Sequence, residues 1–148
     1  MAEVWINGAM LAITSPLEMA RLLEADCESE AERSLCRHIV CAAVDALATQ
    51  EEAGGGVIVR TQCDLSRTHN LPYRADFLVI SPRRGLMVIE VDGFAYHSDQ
   101  AAFKRDRIRD RAFALIRLPV IRFTALECTE MEADGPTFDE LRRALGGA

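Results

Sequence analysis

The chain has 148 residues and a net charge of −6, with 49% hydrophobic and 27% charged residues. This length suits one domain with its own core, and the composition is typical of a soluble globular protein. No apolar stretch reaches the roughly 18 residues that a membrane span needs, and no basic region followed by an apolar one marks a secretory signal. Five cysteines without a CxxC pair favour free thiols. We therefore expect a cytoplasmic protein.

The first predicted elements are a hairpin and a short helix. Two short apolar runs flank Asn7 and Gly8, and an Asn-Gly pair is the strongest short-range signal of a β-hairpin. The segment "SPLEMARLLEA" then carries a serine cap, a proline at the first helical position and a glutamate three residues after the cap. This pattern predicts a helix from about 16 to 25.

A longer helix follows, with the same type of start signal. Ser29 is the predicted cap, and Glu32 completes a capping box three residues later. Apolar residues recur at helical spacing behind this cap. We expect this helix to run to the glycines at 54–56.

Three strand-like runs come next, at 57–65, 73–81 and 86–92. The connection from Pro82 to Gly85 is very short. The second and third strands are therefore predicted to pair as an antiparallel hairpin.

The remaining elements are a helix at 99–117, a short buried strand at 119–123 and a terminal helix at 137–145, capped by Thr137. The first of these helices has four rough apolar markers, Phe103, Ile108, Ala112 and Leu115. The order helix, three strands, helix, strand predicts one α/β domain with a mixed sheet flanked by helices.

The stretch "GLMVIEVDGFAYH" places two carboxylates, Glu90 and Asp92, at the end of a buried strand, on the same face and about 7 Å apart. Burying one unpaired carboxylate costs several kcal/mol, so these acids need compensation. The predicted hairpin brings Asp76 of the preceding strand close to them. Converging carboxylates with open positions suit Mg²⁺ or Mn²⁺. His97, near the start of the next helix, can face the same site.

These residues carry a resemblance. The stretch from "YRADFLV" through "GLMVIEVDGFAYH" to "FKRDRIRDRAFALIRLPVIRF" resembles the PD-(D/E)XK nuclease superfamily, and within it the small single-domain families around the very-short-patch repair endonuclease. The resemblance covers about residues 29 to 127. It implies a restriction-endonuclease-like αβββαβ core within 29–148, with the hairpin and helix of 1–28 packed on it. It also implies a metal-dependent endonuclease that hydrolyses phosphodiester bonds in DNA.

The resemblance also implies roles for individual residues. Asp76 and Glu90 match the metal-binding acids of the second and third strands. Glu32 matches a glutamate that holds a metal-bound water, and Gln62 matches a polar residue that lines the site. His97 matches a histidine that transfers a proton.

Asp92 departs from the superfamily pattern, which has a lysine at this position to place the attacking water. An aspartate does not do this, although it can bind a second metal ion, and the related small families share the variant. The implied catalytic residues are Asp76, Glu90, Asp92, His97 and Glu32. The first three are the implied ligands of Mg²⁺, for which Mn²⁺ is the expected substitute.

Positive charge is concentrated in one segment of this acidic chain. Residues 101–124 hold one lysine, six arginines and two aspartates, a net charge of +5. A basic stripe is compatible with a polyanion, and Lys104, Arg105 and Arg109 are the candidates for contact with the DNA backbone. The chain supplies no obvious base-reading element. Specificity would then come from a protein partner or from a structural feature of the DNA.

Structural explanations compete with these roles. Glu32 is explained as a capping-box residue, His97 as a surface histidine and Gln62 as a polar residue on a partly exposed strand. The alternating charges of "RDRIRDR" also fit ion pairs three and four residues apart along a helix.

Two other functions therefore stay open. One is a non-catalytic nucleic-acid-binding or accessory domain of the same fold. In it, Asp76 and Glu90 pair with arginines such as Arg74 or Arg122 and bind no metal. The other is a metal-dependent hydrolase that acts on a substrate other than nucleic acid.

Overall fold

A computed structural model of the protein describes residues 4–6, 9–11, 15–48, 57–93 and 99–147. The described strands are β1 (Val4–Ile6), β2 (Ala9–Leu11), β3 (Ile58–Asp64), β4 (Arg74–Ser81), β5 (Gly85–Asp92) and β6 (Val120–Thr124). The described helices are α1 (Pro16–Glu24), α2 (Glu30–Ala48), α3 (Gln100–Leu115), α4 (Ala125–Glu130) and α5 (Pro136–Ala144). None of these helices combines the length and the apolar composition that crossing a bilayer requires.

The strands form one mixed sheet in the order β2-β1-β3-β4-β5-β6. β1 and β2 are antiparallel, as the hairpin signal predicts, whereas the Asn7-Gly8 pair itself lies outside the described residues. β3, β4 and β5 are successively antiparallel, which confirms the predicted hairpin of the second and third runs. β1 pairs with β3 and β6 pairs with β5 in parallel.

Helices cover both faces of this sheet. Neighbouring residues of β5 mark the two sides, because successive side chains of a strand point to opposite faces. Ile89 belongs to an apolar cluster shared with α1, α2, α4 and α5. Val88 belongs to a second cluster, to which Phe113 of α3 contributes. The predicted α/β class, a mixed sheet flanked by helices, is confirmed.

The first two helices start where their signals predict. Ser15 Oγ accepts a hydrogen bond from the Glu18 N–H at 3.2 Å, and Ser29 Oγ accepts one from the Glu32 N–H at 3.1 Å. Both serines thereby satisfy a backbone donor that has no partner within its helix. The predicted extension of α2 toward 54–56 lies outside the described residues.

The C-terminal region differs from the prediction in two respects. α4 was not predicted, although Thr124 and Glu127 form a complete capping box at its start. The Thr137 cap is wrong, because the N-cap position of α5 is Gly135 and no side chain caps it. Pro136 occupies the first helical position, which suits its fixed φ, so the helix starts before Thr137.

The apolar markers of α3 are also largely wrong. Phe103 is 62% exposed and Leu115 is 84% exposed, and Ile108 is exposed as well. The helix instead buries Ala102 and Phe113. Its contact with the sheet therefore contains little apolar surface, and the charged contacts described below complete it.

We expect Thr124→Ala to lower the free energy of unfolding by about 1 kcal/mol, because it removes the N-cap acceptor of α4. Thr137→Ala should change it by less than about 0.5 kcal/mol, because Thr137 caps no helix. Urea titrations followed by circular dichroism would measure both values. Equal losses in the two variants would contradict this assignment of the helix starts.

Candidate functional site

Polar side chains from three neighbouring strands lie at one level of the sheet. The β4–β5 ladder ends at the pair of Phe77 and Ile89, so Asp76 and Glu90 follow at the next level. The β3–β4 ladder skips one position, where Gln62 lies opposite Asp76. The hairpin thus brings the strand aspartate to the acidic end of β5, as the sequence predicts.

The sheet is irregular at this level. Gln62 has φ +47°, which is uncommon for a residue other than glycine and unusual in a strand. On β3, Val59 belongs to the α2-side cluster and Cys63 to the α3-side cluster, although regular alternation would put both on one face. On β4, Phe77 and Ala75 differ in the same way. Both strands therefore exchange faces at Gln62 and Asp76.

The Asp76 carboxylate is half-buried and anchored to the neighbouring strand. Its Oδ2 accepts a hydrogen bond from the Val91 N–H at 2.9 Å. Burial raises the pKa of this carboxyl to about 6, and the nearby charges of Glu32 and Glu90 add to the rise. The Val91 hydrogen bond and the charge of Arg109 lower the pKa but do not offset these effects.

Glu32 lies on the α2 side of the site, with 9% of its surface exposed. Its Oε2 accepts hydrogen bonds from the Glu28 N–H at 2.8 Å and from Gln62 Nε2 at 2.9 Å. Gln62 Oε1 is buried and has no hydrogen-bond partner among the described residues. Glu32 and Gln62, which the sequence predicted separately as site residues, are thus hydrogen-bonded to each other. The side-chain oxygen of Gln62, the residue opposite Asp76, can still accept a hydrogen bond.

Glu90 is 4% exposed and is held by two arginines. Its Oε1 accepts a hydrogen bond from Arg109 Nη2, and its Oε2 accepts one from Arg122 Nε at 3.2 Å. The parallel pairing of β5 with β6 places Arg122 directly opposite Glu90. These two guanidinium groups compensate the buried charge.

The pairing agrees in part with the alternative interpretation of the sequence. Arg122 does pair with Glu90, whereas Arg74 pairs with Glu28 at 2.8 Å. Asp110 extends the network, because it accepts from Arg122 Nη1 at 2.6 Å and pairs with an arginine one turn earlier in α3. The sequence predicted Asp110 only as an ion-pairing residue within α3 and not as a member of this site. The signal for Arg122 was a charged residue inside the apolar run "PVIRF".

Arg109 is fixed by several contacts besides Glu90. Its Nη2 donates to the Arg74 carbonyl at 3.2 Å. Its guanidinium carbon lies 5.2 Å from the ring centroid of Tyr73 and 5.6 Å from that of Phe113, within the range of cation–π contacts. Arg109 Nε is buried and has no hydrogen-bond partner among the described residues.

A cavity of about 220 Å³ opens beside this network. It is lined by residues 90–93 at the end of β5 and by Asp106, Arg107, Arg109 and Arg122. Glu90 and Asp92 thus line one cavity, as their spacing predicts. A Cβ atom at Gly93 would contact no described residue within 4 Å.

The other predicted site residues are placed as follows. Lys104 and Arg105 are exposed on α3, while Arg109 contacts Glu90 instead of pointing to solvent. The predicted ion pairing within "RDRIRDR" is present between Arg107 and Asp110, at 3.0 Å. His97 lies outside the described residues.

The described side chains do not fit a bound Mg²⁺ in this arrangement. No three His, Cys, Asp or Glu side chains in the described ranges are grouped closely enough to hold a metal ion. Both oxygens of Glu90 accept from arginines, and one oxygen of Asp76 accepts from a backbone N–H. The predicted ligands lie on adjacent strand ends, but Glu90 would have to leave its arginines to join Asp76 and Asp92.

We expect the wild-type protein to lose stability relative to Asp76→Asn as the pH rises from about 4 to 6. Over this interval an unfolded aspartate ionises while folded Asp76 retains its proton, so ionisation opposes folding. Above pH 6 no further loss is expected. The loss in the free energy of unfolding accumulated by then, relative to Asp76→Asn, should be about 1 to 2 kcal/mol after allowance for partial exposure. Urea titrations in EDTA at several pH values would test this. A flat difference, or one with the opposite slope, would contradict it.

No family model, no curated protein and no solved structure matches the chain. Support for a function therefore comes from the arrangement of the residues themselves.

Proposed function

We propose that the protein is a metal-dependent endonuclease that hydrolyses phosphodiester bonds in DNA and has a restriction-endonuclease-like core. One observation carries this proposal. Asp76 of β4 is hydrogen-bonded to the β5 backbone next to Glu90, so two acids from adjacent strands lie at one level of the sheet, and Glu90 lines a cavity that also contains arginines.

The order of the elements supports the same proposal. α2, β3, β4, β5, α3 and β6 follow one another along the chain, with three antiparallel strands and a parallel fourth. α2 and α3 contribute to apolar clusters on opposite faces of the sheet. This order is compatible with the αβββαβ core that the resemblance implies, and so supports the proposal.

The protein's own groups have separable tasks under this proposal. Arg107 at the cavity and exposed Lys104 and Arg105 on α3 would attract the DNA backbone without reading its sequence. Gln62 holds Glu32 in place behind Asp76.

Metal binding would require Glu90 to be released from its arginines. Mg²⁺ or Mn²⁺, held by Asp76, Glu90 and Asp92, would then supply an activated water and stabilise charge on the phosphate. His97 stays the predicted proton donor to the leaving oxygen.

A second candidate function is favoured by the double pairing of Glu90. In a non-catalytic nucleic-acid-binding or accessory domain, the contacts of Glu90 with Arg109 and Arg122 would be permanent and would only attach α3 and β6 to β5. The cavity and the basic residues of α3 would then bind a polyanion without cutting it.

Cleavage of supercoiled plasmid in Mg²⁺, Mn²⁺ and EDTA would separate the two functions. We expect metal-dependent cutting by the wild type, and a loss on the order of 100-fold in Asp76→Asn and in Glu90→Gln. Glu132→Gln, which changes an exposed acid between α4 and α5, should cut like the wild type.

Asp76→Asn is the decisive variant, because Glu90→Gln leaves two arginines without their buried partner and can unfold the protein. Circular dichroism would establish which variants are folded. No cutting by the folded wild type, or undiminished cutting by Asp76→Asn, would contradict the nuclease and favour the accessory domain.

A further inference from the structure

We infer that Arg109 and Arg122 form a binding site for a phosphate group of the DNA backbone, and that the Glu90 carboxylate occupies this site in the unbound protein. A phosphate that binds the arginines displaces Glu90 into the cavity. The inference deepens the proposed function, since it rests on DNA as the ligand, and it states how the acids at the strand ends become available.

The geometry of the pair matches the proposed ligand. Two guanidinium groups, one from α3 and one from β6, converge on the two oxygens of a single carboxylate. A phosphodiester likewise presents two non-bridging oxygens that share one negative charge, and arginine recognises both groups through the same paired N–H donors. Arg109 Nε, which has no partner among the described residues, adds an unused donor for a bidentate contact.

Both arginines would stay in place when Glu90 leaves. Arg109 contacts the rings of Tyr73 and Phe113 and donates to a backbone carbonyl. Arg122 keeps its hydrogen bond to Asp110 at 2.6 Å. A phosphate would therefore meet an organised pair of donors, which lowers the entropic cost of binding.

The exchange of Glu90 for a DNA phosphate can be tested by measuring DNA affinity. The measurement is the fluorescence anisotropy of a short labelled DNA duplex in EDTA. Glu90→Gln removes the internal competitor, so we expect it to bind the duplex about tenfold more tightly than the wild type. Asp106→Asn removes one negative charge from the same cavity but frees no arginine, so its gain should be below about threefold. Glu132→Gln should bind like the wild type.

Arg122→Gln provides a second test that does not depend on the folding of Glu90→Gln. If Arg122 contacts a phosphate, the substitution should weaken binding about tenfold and lower the salt dependence of the affinity by about one ion. Arg143→Gln, in α5, is the matched control and should leave the salt dependence unchanged. A salt dependence that stays unchanged in folded Arg122→Gln would overturn the inference. So would equal affinities of folded Glu90→Gln and Asp106→Asn.

The failures of the two proposals are distinguishable, because the titrations in EDTA measure binding in the absence of any cutting. Tighter binding by Glu90→Gln, together with no metal-dependent cleavage by the wild type, would refute only the nuclease. Cleavage by the wild type with no gain of affinity in folded Glu90→Gln would refute only the exchange.

Discussion

The architecture around the site depends on one buried carboxylate. Glu90 is 4% exposed, and burying its charge would cost several kcal/mol if it were unpaired. Arg109 belongs to α3, which packs on one face of the sheet, and Arg122 belongs to β6, the strand paired with β5. α3 buries only Ala102 and Phe113, so its charged contacts add to a small apolar one. The arginines that pair with Glu90 connect α3 and β6 to β5, and they also line the cavity.

The two acids at the strand ends differ in how firmly they are held. Asp76 accepts a hydrogen bond from the Val91 backbone N–H, a donor that belongs to β5 itself. Glu90 is held by side chains, and an arginine can exchange a carboxylate for a phosphate with little change of packing. Under the proposed function, a fixed acid beside an exchangeable one suits a site that forms when its substrate binds. In a purely structural network, a difference in how firmly the two acids are held would have no role.

The sequence predicts most of the fold because the signals involved are local. Hydrophobic runs located the strands, and a short turn paired β4 with β5 and so brought Asp76 near Glu90. The partners of Glu90 were harder to predict, because Arg122 is distant in sequence and its position depends on the parallel register of β5 and β6. The choice of Arg109 over Lys104 and Arg105 depends on the rotation of α3 about its axis. The apolar residues of α3 predicted the wrong face of the helix to pack on the sheet, because much of the face that does so is charged.

The irregularity of the sheet explains why the acids of both layers meet at this level. Where β3 and β4 exchange faces, at Gln62 and Asp76, the Asp76 side chain lies at the boundary between the two apolar clusters. Its carboxyl is consequently influenced by Glu32 from the α2 side and by Glu90 from the α3 side. A regular strand would direct that side chain into one layer only. The one carboxylate at this level therefore lies within the electrostatic influence of Glu32 on one face and of Glu90 and Arg109 on the other.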